Sequence, residues 1–117
     1  MPSSRHTIAE HFKGRAPEVR AIYDRILAEA RALGGVTEEP KKTSIHLVRR
    51  TAFAGIATQK GALILTLKSS TDIRSRRIKK KEQASASRWY VYIRLDDPGQ
   101  VDAELAGWLK KSIEIAS

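Results

Sequence analysis

Two stretches with helical periodicity, one toward each end of the chain, enclose a region of strand patterns. The first follows Pro17, and its apolar residues recur at steps of three and four as far as Leu33, before a glycine pair. The second follows Pro98, with Asp97 as the expected N-cap of a helix that starts at that proline. Spacing of this kind buries one stripe of a helix and leaves its other side in water. The chain therefore predicts two long helices that share one core.

Four strand candidates lie between the two helices. They are joined by short connections, of which Gln59-Lys60-Gly61 has the composition of a three-residue hairpin loop. The second candidate is rich in alanine and glycine, which makes it the weakest strand former of the set. No helical pattern separates consecutive candidates, so we expect antiparallel pairing. The candidates are residues 43–49, 52–57, 62–68 and 89–95.

This order of elements predicts a single α+β domain. Hairpin-linked strands between two helices favour an antiparallel sheet of four to five strands, with the long N-terminal and C-terminal helices packed on one face. The length of 117 residues suits one domain over residues 1–117, in which residues 1–15 form an N-terminal segment with a short helical turn. The expected core consists of Val19, Ile22, Ile26, Leu63, Leu65, Leu67, Trp89, Val91, Leu105 and Leu109.

The positive charge of the chain is concentrated in its middle. Residues 41–94 contain 14 basic and 2 acidic residues, whereas residues 1–40 are balanced and residues 95–117 carry a net charge of −3. The whole chain has a formal net charge of +9. An excess this uneven is informative about partners rather than about fold. It indicates phosphates, nucleic acid or an acidic protein surface.

Half of these basic residues lie in residues 69–88, between the third and fourth strand candidates, where 7 basic residues stand against 2 acidic ones. This segment is expected to be a basic loop or, near residues 78–83, a short edge strand whose lysines discourage pairing with another chain. In the strand that follows, alternation places Tyr90, Tyr92 and Arg94 opposite the core-facing residues. Exposed aromatic and basic side chains together form a stacking surface for nucleic acid. The predicted polyanion-binding residues are Arg74, Arg76, Arg77, Lys79, Lys80, Lys81, Arg88, Tyr90, Tyr92 and Arg94.

Two functions are compatible with this basic central surface. The first is a non-enzymatic protein that binds nucleic acid or another polyanion. The alternative is a binding module for a small anionic ligand or an acidic protein partner, and a homo-oligomer is compatible with either. The size of the footprint distinguishes them, because a nucleic acid needs a continuous basic stripe with aromatic residues, whereas a small ligand needs a pocket with two or three convergent charges.

Several kinds of chemistry are not expected from this composition. The chain has no cysteine, which excludes disulfides, thiol nucleophiles and cysteine-based zinc sites. His6 and His11 lie on different sides of a helix, and His46 is a lone strand histidine, so we expect no metal, no cofactor and no catalytic residues. No apolar run approaches the roughly 20 residues of a membrane helix. The lack of cysteine favours a cytoplasmic location.

Six short motifs distributed along the chain resemble one family. The chain resembles members of the "domain of unknown function 5655" family over nearly its whole length. Because that family has no established activity, the resemblance implies no reaction, cofactor or site residue. The motifs are HTIAEHF at residues 6–12, YDR at 23–25, PKKTSI at 40–45, RIKK at 77–80, RWY at 88–90 and VDAELAGWL at 101–109.

Overall fold

The structure, a computed structural model, describes residues 6–116, so residues 1–5 of the N-terminal segment and Ser117 lie outside the described part. The described residues form three α-helices and six strands. In chain order these are α1 (Ile8–Phe12), α2 (Pro17–Arg31), β1 (Thr37–Pro40), β2 (Ile45–Val48), β3 (Ala52–Thr58), β4 (Leu63–Ser69), β5 (Ile78–Ser85), β6 (Arg88–Leu95), a 3₁₀ turn (Pro98–Gln100) and α3 (Ala103–Ala116).

The strands form one antiparallel sheet in the spatial order β1-β2-β3-β4-β6-β5. The α+β class is therefore confirmed, and β2, β3, β4 and β6 correspond to the four strand candidates. The number of strands is six rather than four to five. One addition, β5, lies at the sheet edge and overlaps the edge strand expected near residues 78–83.

The other additional strand, β1, carries no strand pattern in its sequence of Thr-Glu-Glu-Pro. It pairs with β2 at the opposite edge of the sheet, where proline is tolerated. Its Glu38 accepts a hydrogen bond of 2.6 Å from the hydroxyl of Tyr23 in α2. Burial and this hydrogen bond to Glu38 raise the pKa of Tyr23. Tertiary contacts, rather than local propensity, therefore place this edge.

The C-terminal helix begins later than expected. Asp97 does form a capping box, but with the single 3₁₀ turn at Pro98–Gln100. Val101 then leaves helical geometry, with φ −82° and ψ 75°. Asp102 starts α3 instead, because its carboxylate accepts a hydrogen bond of 3.0 Å from the backbone N–H of Leu105. The prediction that the helix starts at Pro98 is wrong by five residues.

Helices α2 and α3 contribute to one core with the side chains of one sheet face, which we call the helix side. Rows of paired residues cross the sheet on this face, for example Ile45, Ile56, Leu65 and Ile93. The predicted core residues are all buried except Trp89, which is half-buried and lies outside the core cluster. Its row continues into Ser69 and Gln83 rather than into apolar residues, so this prediction is wrong for Trp89.

The opposite face of the sheet, which we call the open face, has a different composition. One row consists of His46, Gly55, Thr66, Tyr92 and Lys80, and the next includes Lys68, Tyr90 and Glu82. These residues are half-buried or exposed. Because side chains alternate along each strand, neighbouring residues of the same strand lie on opposite faces, one apolar and one polar.

Candidate functional site

The basic segment 69–88 does not fold as one surface. Its first part, residues 70–77, is a connection that reaches the start of α3 on the helix side. Its second part is the edge strand β5, which a tight turn joins to β6. The ten predicted polyanion-binding residues are therefore divided between the connection, the sheet edge and the open face.

Arg77 is held against the start of α3. Its Nη1 donates to Asp102 at 2.9 Å and to Glu104 at 3.1 Å, and its Nη2 donates to the carbonyl oxygen of Gln100 at 2.5 Å. The guanidinium also lies 5.7 Å from the ring centroid of Trp108. With a side chain only 23% exposed and two carboxylates beside it, Arg77 joins the connection to the helix.

The carboxyl of Asp102 reflects this arrangement. The backbone N–H of Leu105, together with the guanidinium of Arg77, holds the pKa of Asp102 below its ordinary value. Hydrogen bonds and a nearby positive charge both favour the ionised carboxylate. Asp102 therefore has two structural tasks, since it caps α3 and neutralises Arg77.

Other predicted basic residues are also paired with carboxylates. Lys81 forms a close ion pair with Asp72. Arg74 lies 3.7 Å from the same carboxylate, although its side chain is 86% exposed. Arg94 lies 3.3 Å from Asp96. The charge of these side chains is partly compensated within the fold.

Three further basic residues of this segment, Arg76, Lys79 and Lys80, are exposed. A register shift makes Lys79 the extra residue of a β-bulge in β5. Lys80 lies on the open face, with its Nζ 5.3 Å from the ring centroid of Tyr92. This is within the range of a cation–π contact.

The two open-face tyrosines differ in what they contact. The hydroxyl of Tyr92 donates to Glu82 at 2.5 Å, and this hydrogen bond, followed by burial, raises the pKa of Tyr92. Tyr92 is thus occupied by Glu82 from one side and by Lys80 over its ring. Tyr90 lies in the neighbouring row between Lys68 and Glu82. Tyr90 therefore has fewer polar contacts than Tyr92.

Lys68, which the sequence analysis did not select, joins Arg88 on the open face. It pairs directly with Tyr90, and Arg88 lies two residues before Tyr90 on the same face, so the two cations are diagonal neighbours. Burial, together with the positive charge of Arg88, lowers the pKa of Lys68. Within residues 6–116, neither side chain has a carboxylate partner, and the buried Nε of Arg88 has no hydrogen-bond acceptor.

A shallow groove of about 290 Å³ is lined in part by Lys68, the first of these two cations. Its floor includes Ala52 and Gly55 of β3, and His46, Thr66, Lys68 and Tyr90 are among the residues around it. This groove was not predicted from the sequence, although the small residues and weak strand propensity of β3 are a signal for it. Small residues in the middle of an open sheet face leave room for a ligand.

The described residues show no other centre with obvious chemistry. Residues 6–116 contain no group of three histidine or acidic side chains placed to hold a metal ion. None of the helices in the same range is long and apolar enough to cross a membrane. The feature that remains is a group of basic and aromatic side chains on the open face.

Comparison with protein families agrees with the motifs of the sequence. A family model described as "Domain of unknown function (DUF5655)" matches residues 8–116 of the chain. The chain therefore belongs to this family. Comparisons with curated proteins and with solved structures give no match.

Proposed function

We propose that this member of the DUF5655 family is a non-enzymatic protein that binds nucleic acid, or another extended polyanion, along its open face. The observation that carries the proposal is the presence of Lys68, Lys80 and Arg88 on the same face as Tyr90. Glu82 is the only acidic residue in β4, β5 and β6, and it is hydrogen-bonded to Tyr92. The positive charge of this part of the sheet is therefore available to a partner.

The shape of the surface favours a single strand over a duplex. Helices α2 and α3 contribute to the core on the other side, so neither projects from the open face into a major groove. A sheet that carries an exposed aromatic ring among cations suits unpaired bases, which stack while the phosphates contact lysine and arginine. We expect the nucleic-acid strand to run from Arg88 and Lys68 toward Lys79 and Lys80 of β5.

The dependence of binding on salt tests this proposal. If Lys68, Lys79, Lys80 and Arg88 each neutralise one phosphate of a single strand, log K falls with log salt with a slope of about −2.8. Replacing Lys79 and Lys80 with alanine should weaken binding to all sequences alike and flatten the slope by about 1.4. The measurement is a titration of labelled single-stranded oligonucleotide at several salt concentrations.

A matched control is available on the other side of the molecule. Lys110 and Lys111 are adjacent, exposed lysines of α3, so replacing both with alanine removes the same charge from the helix side. This variant should keep the wild-type slope. The proposal is wrong if the intact protein does not bind at low salt, or if the two double variants lose affinity equally.

A further inference from the structure

We infer that Lys68 and Arg88 bind a phosphate group, and that the groove over Gly55 takes a planar ring attached to that phosphate. The ligand class is a phosphate ester that carries one flat ring, which is the chemistry of a nucleotide. The inference deepens the proposed function and rests on it only for the source of the ligand. One source is a unit of a bound single strand, and the other is a free mononucleotide.

The phosphate half of the site is built from two cations of different geometry. Arginine presents a planar fork of donors that fits phosphate oxygens, and lysine adds a compact charge. In the fold, Lys68 and Arg88 are neighbours that repel each other and have no carboxylate partner among residues 6–116. The Nε of Arg88 is a buried donor without an acceptor, which is rare in folded proteins. A bound anion would offset the repulsion between the two cations.

The ring half of the site depends on Gly55. This glycine lies inside β3, between β2 and β4, where glycine weakens a strand. A Cβ added there would meet only Thr66, with its nearest atom at an ordinary contact distance of 3.6 Å. The fold itself therefore does not require glycine at this position. What the missing side chain leaves is the floor of the groove.

The walls of the groove suit a flat ring. Tyr90 lies on the side of the two cations, and His46 lies across Gly55 on β2. Both are rings that can stack on a base or contact its edge. A volume of about 290 Å³ is at the low end of small-molecule sites, so the groove suits one ring rather than an extended ligand.

The test uses the whole chain and three probes: inorganic phosphate, a 5′-mononucleotide and a short single-stranded oligonucleotide. We expect the mononucleotide to bind about tenfold or more tightly than inorganic phosphate, because the ring adds stacking. The variant Gly55→Val places a good strand former in β3 and fills the groove. It should lose the advantage of the mononucleotide while binding phosphate as wild type does. Lys68→Met should lose affinity for all three probes.

A second, smaller substitution at Gly55 keeps the test valid in the case that Gly55→Val does not fold. Gly55→Ala adds only the Cβ that meets Thr66 at ordinary distance, and it should reduce the mononucleotide advantage partially. Circular dichroism and thermal unfolding of each variant establish that it is folded. The inference is overturned if the mononucleotide binds no better than phosphate, or if both folded Gly55 variants bind it as wild type does.

The three probes also separate this inference from the proposed function. If the oligonucleotide binds tightly with the expected salt slope and the Gly55 variants have no effect, the inference is overturned and the proposed function is supported. If mononucleotide binding depends on Gly55 but the oligonucleotide binds no more tightly than the mononucleotide, the site is supported and the proposed function is overturned. The ligand is then a free nucleotide.

Discussion

Basic residues on the two sides of the sheet differ in whether they are paired with carboxylates. On the helix side, Arg77 is bonded to two carboxylates of the α3 region, and Lys81 is paired with Asp72. On the open face, Lys68 and Arg88 stand next to each other without a carboxylate partner among residues 6–116. Both groups come from the same basic part of the chain. One group is neutralised by carboxylates within the fold, and the other is not.

The net charge counted along a sequence is therefore larger than the unpaired charge on the folded surface. The central block has a net charge of +12, but the acidic C-terminal part of the chain folds back against it. Asp102 and Glu104 neutralise Arg77, and Asp96 lies beside Arg94. The cations without a carboxylate partner are a smaller group, and the register of the strands determines which they are.

The largest expected effect on stability is at Leu65 of β4, compared with the next residue of the same strand. Leu65 is fully buried on the helix side, so Leu65→Ala should lower the free energy of unfolding by about 2–5 kcal/mol. Thr66, the next residue, faces the groove, and Thr66→Ala should cost less than about 1 kcal/mol. Urea unfolding of both variants measures this difference. Equal losses would show that the two faces are not distinct in packing.

The next largest effect on stability is expected at Arg77, which joins the connection of residues 70–77 to the start of α3. Arg77→Met keeps an apolar stem over Trp108 but removes the hydrogen bonds to Asp102, Glu104 and Gln100. We expect a loss of about 1–3 kcal/mol in unfolding free energy, since hydrogen bonds to charged groups are involved. Affinity for single-stranded oligonucleotide should stay within about twofold of wild type. A large loss of affinity with intact stability would place Arg77 among the ligand-binding residues instead.

A smaller effect separates the two tasks of Asp102. Asparagine can still cap α3, so Asp102→Asn removes mainly the charge beside Arg77. At neutral pH the cost should be at most about 1 kcal/mol, because this carboxylate is half exposed. The pKa of Asp102 is lower in the folded state than its ordinary value near 3.8. Its contribution is therefore complete above that value and is lost as pH falls through the folded pKa.

Unfolding followed at several pH values checks this prediction. The difference in stability between wild type and Asp102→Asn should be constant near neutral pH and should shrink in acid, below the ordinary pKa of an aspartate. A difference that does not change with pH would mean that the variant acts through capping geometry rather than through charge.

The smallest effect on stability is expected at Lys68, on the open face. Burial and the charge of Arg88 lower the pKa of Lys68, so its charged form is disfavoured by folding. Lys68→Met should leave the unfolding free energy within about 0.5 kcal/mol or raise it, while anion binding weakens. A clear loss of stability would show that Lys68 supports the fold.

The dependence on pH sharpens this last prediction. The penalty of the charged Lys68 is fully present below its folded pKa and disappears as pH rises toward 10.5, the ordinary value for lysine. Wild type should therefore gain stability relative to Lys68→Met over that alkaline range. A constant difference would mean that neither burial nor the charge of Arg88 disfavours the charged form of Lys68 in the folded protein.

Local patterns in the sequence predicted the elements whose residues carry their own signal. Helix α2 shows its 3.6-residue period, and β6 alternates so clearly that Tyr90 and Tyr92 could be placed opposite the core. The capping box of α1 at Thr7 is also a local feature. In these cases the side chains that decide the structure are neighbours along the chain.

Long-range contacts decided the rest. Strand β1 exists because β2 and Tyr23 are present to pair with it, and Arg77 is neutralised because α3 returns to residue 77. The site itself comes from register: pairing of β4 with β6 brings Lys68 beside Tyr90 and Arg88, and pairing of β3 with β4 brings Gly55 beside them. A shift of one residue would turn each of these side chains to the other face. Composition and local periodicity are enough to predict a basic α+β chain, whereas the cations that remain unpaired are known only once the strands and α3 have packed together.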